Sequence, residues 1–146
     1  MRKGLLLFAL LTAGICSCST DETVTVEFRI AEVEPALGLT EMTISGIDEK
    51  VYLHDEVLLT NADIDTAFVS MRNERPAVDV FFTDSARGEF AAITRGNMGK
   101  RMGIVVDGEL VSAPVIRSPI LQGRAIIMGD FTTEEAERIA EGIMHK

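Results

Sequence analysis

The groups able to do chemistry in this sequence are few: Cys16 and Cys18, His54 and His145, and a surplus of carboxylates that gives 146 residues a net charge of -9. A nucleophile with its base needs a Cys or Ser beside a His. Both cysteines stand at the very start of the chain, and His145 is the penultimate residue, where chain ends fray. No catalytic triad is expected. His54-Asp55-Glu56 is the candidate metal site, but three successive residues ahead of an apolar segment lack the spaced ligands of a zinc or calcium motif. They read as a solvated loop, so no metal and no other cofactor is expected. Asp63, Asp65 and Glu74 would serve as acid and base of a hydrolase if they met in a pocket, and nothing in the pattern requires that they do. Glu134 with Glu135 fits helix capping. Arg95, Lys100 and Arg101 cluster near the end of a predicted helix, where cations complement the helix dipole. The expected catalytic set is therefore empty, and an acidic chain repels nucleic acid and acidic membrane surfaces.

The elements that must carry these groups begin with an address. Met1-Arg2-Lys3 is a charged start, Gly4 to Ile15 is an almost unbroken apolar run, and Cys16 and Cys18 follow, which reads as a signal peptide over 1–18. The run is shorter than the roughly 20 residues a spanning helix needs, so an uncleaved anchor is the weaker alternative. No cysteine occurs from Ser19 to Lys146, so disulfides do not staple the fold. Ile15-Cys16-Ser17-Cys18 resembles the lipobox of bacterial lipoproteins, which implies lipidation of Cys18, with acyl chains such as palmitate tethering the chain to a membrane; a plain secreted leader with incidental thiols is the other reading.

Ser19 to Glu22 is a polar tether. Thr23 to Ile30 alternates with the period of a half-buried strand, and Met42 to Ser45 with Lys50 to His54 suggest short strands about a turn at Gly46-Ile47-Asp48. Thr60 to Ala67 suggests a capped helical turn leading into Phe68 to Met71, and Arg72 to Pro76 reads as a polar turn. Ala77 to Phe82 is a strand, after which Thr83 caps a helix to about Asn97 with Ala86, Phe90, Ile93 and Thr94 on one face. Arg101 to Val106 and Glu109 to Ile116 join through Asp107-Gly108, whose residues accept the positive φ of a type I′ hairpin. Pro114 marks an edge or a bend, because it cannot donate to a ladder. A strand over Arg124 to Met128 precedes a last helix, with Thr132 and Glu135 as capping box and Phe131 as staple. This predicts one α+β domain over 23–146, a single-layer, largely antiparallel sheet with two main helices on one face.

The ordered residues from Phe90 onward resemble the head subdomain of the first periplasmic domain of SecD, in the SecDF protein-export accessory family. They are Phe90, Thr94, Asn97, Gly99 and Lys100; Ile104 to Gly108, Val111 to Pro114 and Ile116; then Ile120, Gly123, Ile127, Gly129, Phe131-Thr132 and Glu134 to Ala136. Most have a structural reason to be there, since Gly99, Gly123 and Gly129 relieve turns, Asp107-Gly108 makes a hairpin, Pro114 bends an edge and Phe131 starts a helix. What the resemblance implies is contact with exported polypeptide on the outer side of the inner membrane, here by a stand-alone lipoprotein.

The expected function is thus a non-catalytic, lipid-anchored binding module of the bacterial cell envelope. Its partner is a protein or an extended polypeptide, met by strand addition along Ser112, Ala113, Pro114, Val115, Ile116 and Arg117. The competing readings are an envelope hydrolase using the acidic residues, and a structural or inhibitory lipoprotein holding one folded partner. Ser19 after Cys18 points to the outer membrane.

Overall fold

A computed structural model describes residues 22–145. The leader, the proposed lipidation site Cys18 and all of the tether but Glu22 lie outside the described residues.

The α+β class holds, but the strands form two antiparallel sheets rather than a single layer. In the larger, β1 (Val26–Glu32), β2 (Leu39–Thr43), β3 (Lys50–His54), β7 (Arg101–Val106) and β8 (Glu109–Ser112) run in the order β2-β3-β1-β7-β8, and the short β4 (Leu59–Thr60) also pairs with β1. In the smaller, β5 (Ile64–Arg72), β6 (Arg75–Phe82) and β9 (Arg124–Ile127) lie in that order. The predicted helical turn at Thr60 shrinks to a single 3-10 turn, Asn61–Asp63, and the residues after it extend into β5. The polar turn after Arg72 is a two-residue hairpin, with Asn73 at φ 49° and Glu74 at φ 64°. Asn-Glu lacks the glycine that signals such a turn, so neither the hairpin nor the second sheet it founds stands out in the sequence.

Asp107-Gly108 turns as its residues require, at φ 49° and 80°. The Asp107 carboxylate also accepts the Thr25 N–H at 2.9 Å and meets Arg138 at 3.3 Å, tying the hairpin tip to the start of the first strand and to the last helix.

The strand pattern explains the core. Val26, Phe28 and Ile30 of β1 point into the main core, which continues through Met102, Ile104 and Val106 of β7 and Val78, Val80 and Phe82 of β6. Strand β7 is interior to the sheet and its opposite face is covered too: Val105 joins a second cluster with Ala31, Val51, Leu53 and Leu110. A continuous apolar run is the expected signature of a strand buried on both faces.

Helix α1 (Asp84–Gly96) is capped by the Thr83 hydroxyl, which accepts from the Ala86 N–H, and it buries Ala86, Phe90 and Thr94. Helix α2 (Thr133–Met144) starts on the Thr132–Glu135 capping box and buries Ala136, Ile139, Ala140 and Ile143. Phe131 packs against the same core. Both helices lie against β6, and α2 also against β5.

One buried hydroxyl holds the crossing from the β7–β8 hairpin to β9. Thr94 is fully buried; its Oγ1 donates to the Phe90 carbonyl at 2.8 Å and accepts the Ile120 N–H at 3.0 Å. Thr94→Val keeps the shape and strands that N–H, so it is expected to cost about 1–3 kcal/mol in urea unfolding and to speed amide exchange at Ile120. Unchanged exchange there would show that the hydroxyl does not hold the crossing.

Candidate functional site

The two sheets leave their last strands, β8 and β9, facing one another across a cleft of ≈ 790 Å³. Its base is apolar, formed by buried Phe28, Phe90 and Ile104, and exposed Ile47, Val115 and Met128 stand around its mouth.

Chain after β8 makes the first wall. The carbonyl of Pro114 accepts from Met102 N–H and the N–H of Ile116 donates to the Lys100 carbonyl, each at 2.8 Å. Val115 pairs with Arg101 as an isolated bridge. The proline interrupts β8 without freeing the strand from β7, so 112–117 continues along the sheet edge. All six residues of the predicted edge, Ser112 to Arg117, line the cleft.

The opposite wall, Arg124 to Ile126 with Met128 to Asp130, comes from β9 and the turn after it. One end is closed where the β2–β3 turn meets that loop. Gly46, at φ 79°, lies so near Asp130 that an added Cβ would stand 2.7 Å from the Asp130 Cβ. Only glycine satisfies both the dihedral and the approach.

Charge gathers at the rim. Arg101 pairs with Glu49 at 2.7 Å, and Arg75 with Asp130 at 3.9 Å. Behind β9, Asp79 is fully buried and accepts from Ser70, from Arg72 at 3.0 Å and from Arg124 Nε at 2.7 Å. Burial pushes the Asp79 carboxyl up, but the hydrogen bonds from Ser70, Arg124 and Arg72 outweigh it and hold it below the usual carboxylate value. Arg124 also lies over the Phe81 ring, 5.5 Å from its centroid. Two buried polar atoms of the first wall, Arg101 Nε and Ser112 Oγ, have no hydrogen-bond partner among the described residues.

The residues weighed for catalysis are dispersed. Asp63 accepts the Thr60 N–H, Asp65 bonds Thr66 beside it and Glu74 forms the β5–β6 turn; none of the three lines the cleft. His54 pairs with Glu32 at 3.0 Å, a carboxylate it shares with Lys100 at 2.8 Å, while Asp55 accepts from Thr40. Among the described residues no group of three His, Cys, Asp or Glu could hold a metal ion. Of the motif residues, Phe90, Pro114 and Gly129 line the cleft, whereas Gly99, Asp107, Gly108, Gly123 and Phe131 do not. Sequence reasoning read the Gly46-Ile47-Asp48 turn and a strand over Arg124 to Met128 but missed their place in the cleft, because only tertiary pairing brings them opposite Ser112.

The pattern of the family described as SecDF, P1 head subdomain, matches residues 39–143. The protein translocase subunit SecD of Rickettsia prowazekii is 35% identical over 136 residues, covering 88% of this chain and 26% of its own. The subunit SecDF of Thermus thermophilus is 45% identical over 131 residues, covering 79% and 18%. This chain thus spans about a quarter of those relatives' length or less. A solved structure described as a membrane component SecDF that enhances protein export superposes with a TM-score of 0.69 at 30% identity, over 86% of this chain and 64% of that one. A second, described as SecDF in a super-membrane-facing form, gives 0.69 at 32%.

Proposed function

The chain belongs to the SecDF P1 head subdomain family, and on that premise we propose that it is a non-catalytic protein-export accessory module whose cleft holds extended polypeptide. The observation that carries this reading is the cleft itself, apolar at its base and bounded by two sheet edges. An extended segment entering it meets strand edges for its backbone and apolar surface for alternate side chains, the combination that strand addition uses. The module works in the cell envelope, held to the membrane by lipid on Cys18, with the outer membrane as its seat.

A photo-crosslinking amino acid at Val115, which is 39% exposed on the cleft wall, tests this in living cells. Expected are adducts with many exported polypeptides, and loss of membrane attachment in a Cys18→Ser variant. One stoichiometric adduct would identify a folded partner instead, and no adduct at Val115 or Met128 would defeat the reading. A Cys18→Ser protein that stays in the membrane fraction would defeat the tether.

A further inference from the structure

We infer that the cleft selects polypeptide segments in which a carboxylate adjoins an apolar stretch, and that Arg117 is the specificity-determining residue that recognises the carboxylate. This rests on the polypeptide-binding reading of the cleft and names the class of segment it takes.

The chain as a whole carries -9, yet the cleft reverses that sign. Arg75, Arg101, Arg117 and Arg124 line it, against the carboxylates Glu49 and Asp130. Both carboxylates are already engaged, Glu49 by Arg101 and Asp130 by Arg75. Arg124 shares the single carboxylate of Asp79 with Arg72, so two guanidiniums meet one negative charge and a positive surplus stays beside the second wall.

Arg117 differs from the other three. It is exposed, and no ion pair or hydrogen bond engages it among the described residues. It closes the segment that begins at Ser112, at the polar rim of an apolar base. A guanidinium there is paired by what the cleft receives, and low-dielectric walls strengthen its field along the groove. Lysine in the incoming segment would meet like charge, which costs affinity directly.

The test uses the full chain in a neutral detergent and ten-residue peptides capped at both ends, sharing one apolar core with a single tryptophan and ending in Asp, Asn or Lys. The protein contains no tryptophan, so peptide fluorescence reports binding alone. The Asp peptide is expected to bind about tenfold tighter than the Lys peptide at low salt, with Asn between, and the gap should narrow as salt screens the pair. Arg117→Gln should collapse the gap to about twofold and Arg117→Glu should invert it. Arg95→Gln, which removes an exposed charge that does not line the cleft, should leave it intact. Equal binding of all three peptides, or a gap that survives Arg117→Glu, overturns the charge selection and leaves the cleft as a polypeptide site. No binding of any peptide overturns both.

Discussion

Phe90→Ala is expected to lower stability by about 3–5 kcal/mol. Phe90 is 1% exposed on the inner face of α1, with its ring centroid 4.7 Å from Phe82 and 6.4 Å from Phe28, which are themselves 5.2 Å apart. Each ring comes from a different element, so the cluster joins α1, β6 of the small sheet and β1 of the large one. Truncation removes the transfer energy of a whole ring and leaves a void that three rigid elements cannot collapse to fill. Against a total of about 5–15 kcal/mol this is a large share. Urea unfolding should show the midpoint falling with little change in slope, while Phe90→Leu, which keeps most of the volume, should cost less than about 1.5 kcal/mol. A Phe90→Ala loss below about 1 kcal/mol would mean that the three rings do not join the sheets.

Asp79→Asn should cost about 2–3 kcal/mol at pH 7. Removing one partner of a buried pair costs about 3–5 kcal/mol, reduced here because Arg72 and Arg124 are 36% and 40% exposed and solvent screens them. The pH dependence gives an independent check. The Asp79 carboxyl titrates below its ordinary value in the folded chain, so its stabilisation is complete above the unfolded value, about 4, and is lost as pH falls through the lower folded value. The difference between native protein and Asp79→Asn should therefore be full at neutral pH and shrink below about pH 4. A difference that holds constant to pH 2 would show that the carboxylate charge is not what holds the two arginines. The variant also frees Arg124, so it should disturb the cleft wall where Phe90→Ala disturbs the base.

Local pattern carried much of this architecture. The Thr83 cap, the Thr132–Glu135 box, the Asp107-Gly108 turn and the apolar faces of both helices are each written within a few residues, because capping, positive φ and helical periodicity are short-range effects. The break at Pro114 was legible in the same way, since a proline cannot donate to a ladder and β8 ends at Ser112. The division into two sheets was not. Alternation along a strand says which side chains share a face but not which strand lies alongside, and the hairpin at Asn73-Glu74 lacked its usual glycine. Asp79 sits in an apolar strand, and nothing near it in sequence foretells that Arg72 and Arg124, 7 and 45 residues away, neutralise it.

What the sequence determined by itself is most of the strands, both long helices with their caps, the Asp107-Gly108 turn, and kinship with the SecDF P1 head. What only the tertiary structure decided is the cleft. Its walls come from strands that end different sheets, its base from residues of β1, α1 and β7, and its excess positive charge from arginines that lie scattered along an acidic chain. Such a site depends on long-range pairing, whose free energy is shared among many weak contacts and leaves no signature at any one position.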